Sequence, residues 1–117
     1  MAAPLLNLVV LRSSNLILAQ CFYELIGLSF LRHQHGKGPE HLACENEGVV
    51  FEIYPQQSGG DTTKSTRVGF QVDQIDTLLQ TLREQAITIL MPPRDSPWGR
   101  RAVVLDPDGH KVELVER

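Results

Sequence analysis

The chain has 117 residues with a formal net charge of −3, 42% hydrophobic and 21% charged residues, which is one globular domain's worth and not a disordered composition. No cluster of Lys and Arg interleaved with aromatics accompanies that charge, so a nucleic-acid partner is not expected. The opening "MAAPLLNLVVLR" is too short an apolar run to span a bilayer and lacks the basic start and cleavage region of a signal peptide, so no membrane partner is expected either.

In chain order, "LNLVVLRSSNLILAQCFYELIG" reads as a strand, a cap and a helix. The helix begins near Ser14 or Asn15 and stops at Gly27, a natural residue for the left-handed position after a helix. Extended segments are expected at 28–35, 40–44 and 49–54. In the last of these Val49, Phe51 and Ile53 share one face, with Val50, Glu52 and Tyr54 opposite. The polar, glycine-containing stretch 56–66, "QQSGGDTTKST", reads as a linker. Its likeness to a phosphate loop fails, because no glycine precedes Lys64 and a strand follows.

"STRVGFQVDQIDTLLQTLREQA" then repeats the strand, cap and helix about 59 residues on. Val68, Phe70 and Val72 lie on one face, with Arg67, Gly69 and Gln71 on the other. Asp73 is the expected N-cap, and Ile75, Leu78, Leu79 and Leu82 form one apolar stripe. Strands are expected at 88–91, 101–105 and 111–115, the last two joined by "DPDG", a type I turn signature. "ENEGVVFEIYP" and "DPDGHKVELVE" align, so Glu52 and Glu113, 61 residues apart, are twins on the wetter faces of their strands. The fold expected is α+β: a single domain made of two tandem βαβββ modules, 5–55 and 67–117.

Cys21 and Cys44 have neither zinc nor redox spacing; both read as small buried hydrophobes and suit a reducing cytoplasm. His33 and His35 share a strand face and can chelate, but a solvated edge is the simpler reading. His41 stays undecided, and His110, in the terminal turn, is expected to be exposed. "PPRDSPWGRR" (92–101) reads as a constrained loop. There Trp98 stacks on a ligand, caps the core or sits at a dimer seam, and Arg100 or Arg101 grips an acidic group.

The tandem modules, "FYELIG" after the first strand and above all "LDPDGHKVELVE" at the end closely resemble the glyoxalase / bleomycin-resistance / extradiol dioxygenase (vicinal oxygen chelate) superfamily over essentially the whole chain. The resemblance implies modules curled into an open, cavity-lining mixed-sheet barrel, a small-molecule ligand and a homodimer. In the metal enzymes of that family, one divalent ion is held by the first and last strands of each module. Glu52 and Glu113 fall at the two last-strand positions. The first-strand positions fall on Leu8 (Asn7 if the register slips by one) and Arg67, which leucine's missing donor and the guanidinium's charge make unfit as ligands. No cofactor is therefore expected, and a divalent metal only through substitute ligands joining Glu52 and Glu113.

The residues expected to line a ligand pocket are Glu52, Arg67, Gln71, Trp98, Arg101 and Glu113. Arg67 is expected to pair with both glutamates, leaving an excess negative charge that would fit one carboxylate for general acid or base work. Glu52 and Glu113 are thus the catalytic candidates if the protein is an enzyme. The leading function is a ligand-binding protein of the bleomycin-resistance kind without the standard metal site. The alternatives are a metal-dependent lyase or dioxygenase and a non-catalytic regulatory or interaction domain.

Overall fold

The computed structural model describes residues 2–60 and 62–117; Asp61 of the expected linker lies outside them. The element order is β1 (Leu8–Ser13), α1 (Leu16–Leu25), β2 (Leu31–His33), β3 (His41–Asn46), β4 (Val49–Pro55), β5 (Arg67–Val72), α2 (Ile75–Glu84), β6 (Ile89–Arg94), β7 (Arg101–Leu105) and β8 (Lys111–Glu116). Two mixed four-stranded sheets result, in the orders β1-β4-β3-β2 and β5-β8-β7-β6, with the first and last strands of each module parallel. This is the α+β, twin βαβββ architecture, and the sheets do not close on themselves.

Each helix covers one face of its sheet. Alternation sends Leu11, Phe51, Ile53 and Leu42 under α1 and Val72, Leu114, Val112 and Val104 under α2, where all are buried. The two halves share one core. The Tyr23, Phe51 and Phe70 rings meet edge-on or tilted at 5.1–6.1 Å, joining α1 and β4 to β5. Burial of such rings stabilises the fold by roughly 2–3 kcal/mol each. The molecule measures 46 × 45 × 23 Å, a slab whose opposite sheet faces carry no helix.

The two helices begin differently. Of the two expected starts, Ser14 and Asn15, it is Asn15 that caps α1, its side chain accepting from the Leu18 N–H at 3.1 Å. Asp73 does not cap α2: the cap is Gln74, in the left-handed region at φ 50°, and its side chain makes no cap bond. The first free N–H, on Ile75, donates instead to the Glu116 carboxylate at 2.8 Å, brought there by the parallel β5–β8 pairing. A residue 41 positions away thus supplies what a local motif was expected to provide.

Several strand bounds also shift. The expected strand over 28–35 shrinks to Leu31–His33, because Leu28 and Gly27 are occupied closing α1 with hydrogen bonds to Tyr23 and Glu24. Strand β6 instead runs on through Pro92 and Pro93, so the expected loop begins only after Arg94. The prolines are tolerated because β6 is the sheet's outermost strand and is bulged against β7.

Candidate functional site

The open faces hold the twin glutamates at matching places. Glu52 lies beside Val10 of β1 and Ala43 of β3; Glu113 lies beside Gly69 of β5 and Val103 of β7. Their partners differ. Glu113 Oε1 accepts from Arg67 at 2.5 Å and from Arg101 at 2.7 Å, so two guanidiniums converge on one carboxylate oxygen. Arg67 does not reach Glu52 as expected: Glu52 Oε2 faces His41 Nε2 at 3.3 Å. One carboxylate between two arginines replaces the anticipated two carboxylates around one arginine, and the local excess on the module-two face is positive.

Beside that pair, Lys64, Arg67 and Lys111 border a recess of about 480 Å³ with Thr62, Ser65 and Gly109. A second cavity, of about 430 Å³, lies between the modules. Its walls are Leu28, Cys44, Val49 and Phe51 on one side and Phe70 and Gln71 on the other. Gln71 is the one anticipated pocket residue found there among the described residues; Arg67, Arg101 and Glu113 belong to the open face. Trp98 is 77% exposed and does not cap the core. Arg100 is taken by Asp76, through both carboxylate oxygens at 2.8 and 2.9 Å, and by Asp95, so of the two adjacent arginines Arg101 is the one on the sheet face. The same guanidinium holds the Asp76 carboxyl below its usual range.

His33 and His35 are exposed at the β2 edge as read, and His41 is buried beside them. His110 is not exposed: it is 1% accessible and sits in a polar network linking the modules. Its Nδ1 meets Asp106 Oδ2 at 2.7 Å, and its Nε2 meets the Thr63 hydroxyl at 2.7 Å. Tyr23 donates its phenol to the same Asp106 oxygen at 2.6 Å. The "DPDG" turn folds His110 inward because Asp106 Oδ1 accepts from the Asp108 and His110 backbone N–H groups, pulling the residue after the turn onto the carboxylate.

Burial alone would raise the Asp106 carboxyl, but the His110 and Tyr23 hydrogen bonds outweigh it and hold it below the usual value. Burial, and then the charge of Asp106, push the Tyr23 phenol well above its ordinary range. This network was not anticipated; its signal in the sequence was a histidine directly after an Asp-led turn. Cys44 is buried as expected, whereas Cys21 points outward from α1, since Ala19, Phe22 and Tyr23 take the buried face.

Paired βαβββ modules, each with one helix-covered and one open sheet face, define the class. The chain belongs to the Glyoxalase/Bleomycin resistance protein/Dioxygenase superfamily, whose family model matches residues 6–114. Similar solved structures include TnmS3, an antibiotic binding protein from Streptomyces sp. CB03234, with 26% identity, TM-score 0.76 and coverage of 99% of this chain and 98% of that one. The oxidase ChaP-H2 matches with 22% identity, TM-score 0.72 and coverage of 99% and 95%. A glyoxalase-related enzyme from Fulvimarina pelagi matches with 20% identity, TM-score 0.76 and coverage of 98% and 89%. No curated protein matches the chain.

The divalent ion of the family's metal enzymes does not fit the residues at its usual positions. Leu8 has no donor atom, Arg67 is a cation already bonded to Glu113, and Glu113 spends one oxygen on two arginines. Among the described residues, no helix is long and apolar enough to cross a membrane.

Proposed function

We propose that the protein binds a small organic molecule carrying an acidic group, on the open face of module two, and acts by binding rather than through the family's metal chemistry. The observation that carries this reading is the replacement of a ligand position by Arg67, clamped with Arg101 onto Glu113 and bordered by Lys64 and Lys111. Two guanidiniums share one carboxylate, and Lys64 and Lys111 line the recess beside Arg67, so the face retains capacity for a further anion. Glu113 holds the guanidinium planes in place for bidentate contact. Gly69 leaves the adjoining sheet position without a side chain, open to a flat ring. The likeness to an antibiotic binding protein supports binding of a small organic compound over turnover.

The open faces leave Leu8, Val10, Leu31 and Leu90 exposed, Trp98 is exposed in the loop before β7, and a second copy of the chain is the proposed cover, enclosing the ligand between open faces. A thermal-shift screen with salicylate, aromatic phosphates and aromatic antibiotics tests the reading, since a bound ligand raises the melting temperature by mass action. The expected result is stabilisation by acidic aromatics, weakened about tenfold in affinity by Arg67→Ala and by raised salt, with a dimer mass in light scattering. Stabilisation indifferent to Arg67→Ala and Arg101→Ala would overturn it.

A further inference from the structure

We infer that His33, His35 and His41, with the carboxylate of Glu52, form a binding site for a divalent transition-metal ion of the zinc kind on the open face of module one. The site is displaced from the family's positions: of those four it uses only Glu52, and its other donors come from β2, the turn after it and β3.

Local structure brings the three rings together. His33 of β2 stands directly opposite His41 of β3 in the antiparallel register, and His35 follows two residues later, just before Gly36 turns the chain at φ 59°. One donor nitrogen from each histidine lies within 4.8 Å of the others. Tetrahedral zinc with bonds of about 2.1 Å separates its ligand atoms by roughly 3.4 Å, so a closure of up to about 1.4 Å among the three nitrogens is required. His33 and His35 are exposed and can supply it by rotating, while His41 stays fixed, its ring stacked on Tyr54 at 4.1 Å and 8°.

The second observation is the state of His41 itself. The ring is 1% exposed, and its Nδ1 lies 3.4 Å from the Pro39 carbonyl, the orientation in which a ligating histidine donates its other N–H to the backbone. That leaves Nε2 buried without a hydrogen-bond partner, with Glu52 Oε2 3.3 Å away. In the tautomer that donates from Nδ1 to Pro39, Nε2 turns a buried lone pair toward a carboxylate, which is costly unless a cation lies between them. A metal ion there would take Nε2 and the carboxylate oxygen together. Three imidazoles and one carboxylate suit zinc, nickel or copper, and not magnesium or calcium, which favour oxygen donors.

The test is a zinc titration of the chelator-treated full chain, carrying no histidine tag, by calorimetry, with cobalt substitution to report tetrahedral coordination by its visible absorption. One zinc ion per chain at micromolar concentration is expected, with affinity falling about a hundredfold or more in His33→Ala and in His35→Ala. Both residues are exposed, so these variants should fold even if His41→Ala does not. Glu113→Gln should bind zinc as the parent does. Absent zinc binding, binding unchanged in both histidine variants, or binding lost equally in Glu113→Gln would each overturn the inference. None of these outcomes bears on the module-two ligand, which is read separately with Arg67→Ala.

Discussion

The two modules are copies in backbone and opposites in chemistry. Both put a glutamate at the same place on the open face of the last strand. In module one the cross-strand pair beside it is His33 and His41; the corresponding pair in module two is Arg94 and Arg101. A neutral imidazole offers a lone pair, whereas a guanidinium offers only donors. The same scaffold position therefore presents a metal-ligating surface on one side and an anion-gripping surface on the other. The strands that place the carboxylate do not determine what it does; its cross-strand neighbours do.

The sharpest way to probe this divergence is at the turns leading into the last strands. Asp106 opens the "DPDG" turn and anchors Tyr23 and His110, while its counterpart in "ENEG", Glu45, is exposed. Asp106→Asn should cost about 3–5 kcal/mol in urea unfolding, because it breaks a buried, hydrogen-bonded charge. Glu45→Gln should stay within about 0.5 kcal/mol. The Asp106 carboxyl is held below its unfolded value of about 3.9, so its contribution is complete above that pH and is lost as pH falls through the lower, folded value. The parent should therefore lose stability in that acid range more steeply than Asp106→Asn. Equal costs at the two turns, or equal acid slopes, would show the network to be inert.

A smaller effect is expected at the helix ends. Gly27 follows α1 at φ 112°, whereas Ala86 takes the equivalent place after α2 at φ 59°. Gly27→Ala should destabilise by roughly 1–2 kcal/mol, since a side chain in the left-handed region meets the backbone. Ala86→Gly should stabilise by roughly 0.5 kcal/mol, the relief being partly offset by the freer unfolded chain. Chemical denaturation of both variants reads the difference, and the same sign for both would contradict it.

The helix starts should differ least. Asn15→Ala removes a side-chain cap and should cost about 1 kcal/mol. Gln74→Ala removes no bond and should fall within about 0.5 kcal/mol, because Glu116 serves that terminus. A comparable loss at Gln74, seen in thermal melts of the two variants, would mean that Glu116 does not carry the cap.

Much of this was legible in the residues because it is local or periodic. Alternation sorted Phe51 and Ile53 from Glu52, the i, i+3, i+4 stripe marked α2, and the aligned turn-and-strand motifs paired Glu52 with Glu113. Asn15 as a cap and Gly27 as a stop needed only their immediate neighbours. What failed was what depends on a partner distant in sequence. His110 reads as exposed because turns usually are, and only its bonds to Asp106 and Thr63 hold the ring inward. Asp73 was a sound cap by type, displaced by a carboxylate from β8. Spacing pairs Arg67 with both glutamates because it gives the face of a strand but not which module's neighbour lies in reach.

The amino-acid sequence thus determined the repeat, the family, the helix-covered faces and the absence of donors at Leu8 and Arg67, since these follow from period and side-chain chemistry alone. Only the tertiary structure decided the partners: two arginines on Glu113, three histidines gathered around the Glu52 side, and a buried Asp106 network between the halves. Pairing energies fall off within a few ångströms, and register and packing set those distances, so no pattern along the chain could have supplied them.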